Sequence, residues 1–159
     1  MSLNEELGLR HPIATTGHEA LLNIYFTSVC IRKRATEFLR RYGLTDVQVN
    51  VLMLLKHQAD EGEGLSQSQL SSMMLVNRAN VTGLVDRLEQ AKLVMRTTDP
   101  ADRRSNVVRL TQRGRRLLEK VEPAYGREVA RIMEVLTAAE QRRLIGLLER
   151  VRANIANVQ

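Results

Sequence analysis

Cysteine occurs once in the 159 residues, at Cys30. That excludes an internal disulfide framework and a cysteine zinc site. Histidine is almost as scarce: His11, His18 and His57 are scattered, with no metal-ligand spacing such as H-E-x-x-H. No glycine-rich loop of the kind that cradles phosphates is present. Without such a constellation no enzyme, metal or cofactor is expected, and His57 is read as a cation suited to a helix C-terminus. No apolar run approaches the ~20 residues that span a bilayer. The N-terminal "MSLNEELGLR" has neither a basic start nor an apolar core, so no secretory signal is expected and a cytoplasmic location fits. Tryptophan is absent, and four of the five aromatic residues (Tyr25, Phe26, Phe38 and Tyr42) fall in one stretch near the N-terminus. Residues 78 to 116 contain no aromatic residue, which argues against single-stranded RNA, whose readers need exposed stacking rings.

Positive charge is what the chain has in excess. The formal net charge is +6 and the pI about 10.1, which favours an anionic partner. Residues 78 to 116 carry ten basic side chains: Arg78, Arg87, Lys92, Arg96, Arg103, Arg104, Arg109, Arg113, Arg115 and Arg116. The same residues carry four acidic ones, Asp86, Glu89, Asp99 and Asp102, so this segment holds the whole net charge. The other 120 residues carry fourteen of each sign. An imbalance confined to one segment points to a phosphate footprint rather than a solvated face.

The chain punctuates itself. Residues 18 to 42 lack Gly and Pro, keep apolar residues at helical spacing, and end at Gly43. Thr45 with Gln48 is a capping-box pattern that opens a second helix through about His57, and Ser66 with Gln69 opens a short third helix to about Met74. Asn77 can cap a fourth helix, taken here as residues 78 to 91. The period then changes: "LVMRT" and "NVVRL" read as strands joined by "TDPADRRS", a connection in which Pro100 favours a turn. Thr111 can cap a fifth helix, with Pro123 as a kink or break within it, and "TAAE" at 137 to 140 opens a last amphipathic helix. The fold class expected is mostly α with a small β-hairpin wing: a winged helix–turn–helix lobe over residues 45–111, flanked by long helices at 18–42 and 112–156. The long helices have apolar stripes and no sheet to bury them, so a second copy of the chain is the expected partner.

The fourth helix carries the chemistry. Val81, Leu84, Val85 and Leu88 follow the i, i+3, i+4, i+7 rule and face a core. The other side presents Ala79, Gly83, Asp86 and Gln90, flanked by Asn80, Thr82 and Arg87. Ala79 and Gly83 are small enough to let the backbone enter a major groove about 12 Å wide, although Gly83 costs about 1 kcal/mol of helix propensity. Asn80 can pair with adenine, Thr82 can meet a base edge or a thymine methyl, Arg78 reaches bases and Arg87 the backbone. Asp86 would repel phosphates, so only the first two turns are expected to enter. Ser68 on the third helix and Asn77 complete the DNA-facing set. At the hairpin tip Arg103 and Arg104 can approach the adjacent minor groove, where a narrow A·T-rich duplex attracts a guanidinium, and Asp102 can hold Arg104 in a fixed orientation.

These residues resemble a known family. "DRRSNVVRLTQRG" is similar to the wing signature of the MarR (multiple antibiotic resistance regulator) family, D-x-R, a short strand, then L-T-x-x-G, at Asp102, Arg104, Leu110, Thr111 and Gly114. The likeness continues through "LSQSQLSSMMLVNRANVTGLVDRLEQAKLV" and "YGLTDVQVNVLMLL" to "LTAAEQRRLIGLLERV", and so covers residues ~20 to ~152 in the family's element order. It implies a single domain over 1–159 and a homodimeric winged-helix transcription regulator. Such a regulator is usually a repressor, released from double-stranded DNA by a small-molecule effector or oxidation. It further implies a dimer interface built from helices one, five and six. Two positions depart from the pattern. Gly83 stands where a basic or polar residue is usual. Lys92 stands where glycine usually precedes the first wing strand: either the position keeps positive φ at a cost of ~1 kcal/mol or more, or the turn is rebuilt.

Cys30 lies deep in the first long helix, out of register with the reactive cysteine of the peroxide-sensing branch, and is expected to be a buried small hydrophobe. Tyr25 and Tyr42 are expected to pack in the core or dimer, with an effector pocket as the sharper alternative. The rival functional reading is a winged helix that binds protein instead of DNA, which would present an apolar wing and recognition face.

Overall fold

Helix starts in this chain are set by side chains that satisfy orphaned backbone N–H groups. The backbone N–H of Thr45 donates to Gln48 Oε1 (2.9 Å), and that of Gln48 returns to Thr45 Oγ1 (3.3 Å). Ser66 and Gln69 do the same at 2.8 and 3.1 Å, and Thr137 and Glu140 at 2.8 and 3.3 Å. All three boxes stand where the sequence places them. The computed structural model describes residues 2–59, 64–74, 78–98 and 106–158.

The elements run in the order α1 (Leu3–Glu6), α2 (Thr16–Leu39) with a closing 3-10 turn (Arg40–Tyr42), α3 (Asp46–His57), β1 (Leu65–Ser66), α4 (Gln67–Met74), α5 (Arg78–Gln90), β2 (Val94–Thr98), β3 (Asn106–Leu110), α6 (Gln112–Met133) and α7 (Ala138–Asn157). The fold is mostly helical with one small antiparallel sheet. The expected two-stranded hairpin is in fact three-stranded, in the order β1-β3-β2, because Leu65 and Ser66 pair with Val108 and Val107 on the far side of β3. The short α1, opened by a Ser2–Glu5 capping box, also goes beyond the expected elements. Pro123 lies inside α6 without ending it.

The chain divides into two compact units, Met1–Arg115 and Arg116–Gln159. In the first, the core is aliphatic: Leu39, Val51, Leu52, Leu70, Val81, Val85, Leu88, Val94 and Val108 are all essentially inaccessible. Helix α4 packs on α5, and α3 on β3. In the second, α6 passes to α7 through a turn in which Gln141 Nε2 donates to the carbonyls of Met133 (3.1 Å) and Leu136 (3.0 Å). Leu144, Ile145, Leu147, Val151 and Ile155 leave α7 with an exposed apolar face.

Two helix ends use one device with different residues. At the end of α2 the N–H of Gly43 bonds to the carbonyl of Arg40 and that of Leu44 to Leu39, with Gly43 at φ 67°. At the end of α5 the N–H of Lys92 bonds to the carbonyl of Glu89 and that of Leu93 to Leu88, with Lys92 at φ 59°. Both are Schellman caps, whose pivot residue is left-handed and favours glycine. Lys92 is the one non-glycine residue at positive φ among the described residues, so the turn is kept and not rebuilt. Lys92→Gly is expected to stabilise the protein by roughly 0.5 kcal/mol or more, because relief of ~1–2 kcal/mol of left-handed strain exceeds the ~0.4–1 kcal/mol of added chain entropy in the unfolded state. Chemical denaturation checks this; a lower midpoint for Lys92→Gly would contradict it.

Candidate nucleic-acid interface

Helix α5 has two faces. Val81, Leu84, Val85 and Leu88 are buried, while Ala79, Asn80, Thr82, Arg87 and Gln90 are exposed. The buried set anchors the helix to the lobe, so the exposed set projects outward from a fixed base. Gly83 faces open space: a Cβ added there meets nothing within 4 Å. Packing inside the protein therefore does not require a glycine at this position.

The exposed side chains are partly held in place. Thr82 Oγ1 donates to Gln67 Oε1 at 3.0 Å, linking α5 to the first turn of α4, where Ser68 is also exposed. Arg87 lies back along its own helix, with Nε donating to the carbonyl of Gly83 at 3.0 Å. Asn80, Leu84 and Arg87 form one wall of an open groove of about 490 Å³, and Thr45, Asp46, Val47 and Gln48 at the start of α3 form the other.

Arg96 corrects the charge map. It sits on β2 and its guanidinium pairs with both Asp86 and Glu89 of α5, while its backbone N–H donates to Glu89 Oε1 at 2.9 Å. Burial pulls the Arg96 pKa down, but the hydrogen bonds and charges of Asp86 and Glu89 outweigh it and hold the pKa above the ordinary arginine value. Arg96, counted above with the phosphate-binding charges, is thus engaged within the protein. Asp86 is likewise directed to the wing strand, not simply set against a phosphate. The sequence held a signal for this: Asp86 and Glu89 are three apart, hence on one side of a helix, with an arginine soon after.

The wing pairs Val94 with Leu110 and Thr98 with Asn106 in regular antiparallel register. Arg109 is half-buried on β3, and Arg113, Arg115 and Arg116 are exposed at the start of α6. Asp102, Arg103 and Arg104 lie outside the described residues, as does Asn77. Arg78 begins α5, but its side chain lies outside them too.

The remaining candidates sit on or just beyond α2. Tyr25 is 64% exposed, whereas Tyr42 is half-buried in the 3-10 turn, its ring centroid 5.8 Å from that of Phe38. Arg41 lies over Phe38 at 4.0 Å. Seventeen helical residues separate the tyrosines by about 25 Å, so they do not share one pocket within a chain. Neither lines the groove beside α5. Cys30 is exposed, contrary to the buried position expected. Its neighbours Val29 and Ile31 are exposed as well, so this part of α2 has an apolar surface that a single chain leaves uncovered.

Comparison with known proteins follows the same elements. A profile described as MarR family matches residues 42–105, the stretch from the end of α2 to the wing. The chain is 35% identical over 117 residues to the uncharacterised HTH-type transcriptional regulator YdgJ of Bacillus subtilis (strain 168), an overlap of 74% of this chain and 69% of that one. Among solved structures it resembles AbsC, a MarR family transcriptional regulator from Streptomyces coelicolor, with TM-score 0.81 and 21% identity over 93% of this chain and 100% of that one. It also resembles MepR of S. aureus in its complex with DNA, with TM-score 0.77 and 21% identity over 89% and 99% of the two chains. No helix among the described residues is long and apolar enough to cross a membrane.

Proposed function

The chain belongs to the MarR family of winged-helix transcription regulators, and from that premise we propose that it is a homodimeric cytoplasmic repressor that binds a pseudo-palindromic duplex and leaves it when a small-molecule effector binds. The observation that carries the reading is the two-faced α5: an apolar side locked into the lobe and a polar side of Asn80, Thr82 and Arg87 turned outward. In this reading α5 enters the major groove. Arg78, Asn80 and Thr82 meet base edges; Ser68, Asn77 and Arg87 meet the backbone. Thr82 approaches a base while its hydroxyl is oriented by Gln67. Arg104, aimed by Asp102, enters the minor groove, and Arg103 contacts a phosphate.

The dimer is supported by apolar faces that one chain leaves open. Leu21, Ile24, Tyr25, Val29 and Ile31 are exposed on α2, and five aliphatic residues on α7. These side chains are already about half covered, so burying the rest of each is worth roughly half of the ~1.5–3 kcal/mol of full burial, and the sum over both faces is of the size needed to offset the entropy of association. An effector acts by binding one dimer geometry better than the other, and Tyr25 and Tyr42 remain the candidate contacts. An interaction module without a DNA site is the competing function; no apolar recognition face on α5 supports it.

The test is a selection of bound duplexes from upstream DNA of the source genome, followed by equilibrium binding. Two recognition helices related by a two-fold axis require half-site centres about 10 to 10.5 bp apart or a multiple of that spacing. Equal affinity for a single isolated half-site, or a monomer at micromolar concentration by sedimentation, would overturn the proposal.

A further inference from the structure

Asp86 and Glu89 lie one turn apart on the recognition helix, and a single residue of the first wing strand engages both. The two terminal nitrogens of Arg96 go to different carboxylates, and its backbone N–H takes the second oxygen of Glu89. Two attachment points along a helix fix its rotation about its own axis as well as its distance from the strand. The short link between the elements is the left-handed turn at Lys92, closed by two backbone hydrogen bonds. A lone exposed ion pair would contribute little, but a planar fork held by two carboxylates, with the backbone N–H of the same residue as a third contact, is preorganised.

The charge arrangement sharpens the point. The triad is net negative inside the most basic segment of the chain, where neutral residues would suit DNA better. We propose that Arg96 is a positioning residue for DNA recognition, clamping α5 to the wing so that the offset between major-groove and flanking contacts is fixed. The inference rests on the functional reading above and adds a specificity determinant that touches no DNA.

The test separates geometry from charge. The triple variant Asp86→Asn/Glu89→Gln/Arg96→Met removes all three charges and relieves the net negative charge. A purely electrostatic role predicts binding as tight as the parent or tighter, with unchanged preference for the flanking pairs. Positioning predicts a loss of preference. If the parent favours its selected operator about tenfold over one whose flanking pairs are moved outward by one base pair, the variant should favour it about twofold. The salt dependence should stay the same, since no phosphate contact is lost. Arg96→Lys keeps the charge but not the fork, and should fall between the two. Parent-like discrimination in the triple variant overturns the inference. Should that variant fail to fold by circular dichroism, Arg96→Lys decides: reduced discrimination supports the clamp and parent-like discrimination overturns it. A parent that binds no duplex overturns the functional reading itself; a parent that binds while its variants discriminate equally overturns the clamp alone.

Discussion

Raising salt from 50 to 200 mM should weaken the complex with duplex DNA by about 10³–10⁵, if the proposed dimer neutralises roughly 6–10 phosphates. Each phosphate contact releases condensed counterions, so affinity falls as a power of salt concentration set by the number of contacts. The ten basic residues of 78 to 116 provide the supply, and Arg96 must be subtracted because Asp86 and Glu89 already hold it. Lys92, Arg113, Arg115 and Arg116 are exposed, and three to five contacts per protomer would suffice for this slope. Titration by fluorescence anisotropy on the selected operator measures it. A flat curve would remove the electrostatic basis of the DNA reading. A steep curve on an unrelated duplex of equal length would show the same phosphate contacts without base readout, so both duplexes belong in the experiment.

Features that depend on residues three or four apart were legible in the sequence. The capping boxes at Thr45, Ser66 and Thr137 and the buried face of α5 are local patterns, and each stands where expected. The left-handed turn at Lys92 could be inferred only through the family pattern, because lysine itself carries no signal for positive φ. Strand β1 was not legible: two residues cannot show alternation, and their partner is β3, some forty residues later. The Arg96 triad is hidden from a count of charges, which assigns sign but not partners. The exposure of Cys30 is hidden for a different reason. Its helix has an apolar surface, and apolar pattern predicts burial without saying whether the covering surface belongs to the same chain. Of the proposed DNA contacts, Asn80, Thr82, Arg87 and Ser68 are exposed on the expected helices, and the tip residues stand on sequence alone.

Gly114→Ala should destabilise the protein by about 3 kcal/mol or more, near the upper end for overpacking a fixed site. Gly114 lies in the first turn of α6, where its N–H donates to Thr111 Oγ1 at 3.0 Å. A Cβ at this position would stand 2.1 Å from the carbonyl oxygen of Leu93 and 3.3 Å from Leu110 Cδ2. The obstacle is backbone and cannot swing away. The N–H of Leu93 is bound to Leu88 in the cap of α5, its carbonyl accepts the N–H of Thr111 at 3.1 Å, and Thr111 Oγ1 also donates to the carbonyl of Lys92 at 2.7 Å. Thr111 and Gly114 thus join the base of the wing to the start of α6 at the one turn where α5 hands over to β2. Alanine is a better helix former than glycine by about 1 kcal/mol, so propensity alone predicts the opposite sign. Gly83→Ala supplies that comparison, because the same added Cβ meets nothing there and should stabilise by up to about 1 kcal/mol. The measurement is urea denaturation of parent and both variants at one protein concentration, since the proposed dimer would make stability concentration-dependent. The midpoint should fall for Gly114→Ala and rise for Gly83→Ala. A Gly114→Ala midpoint at or above the parent's would mean that the turn gives way, and that the close approach of α6 to Leu93 does not hold the wing in place.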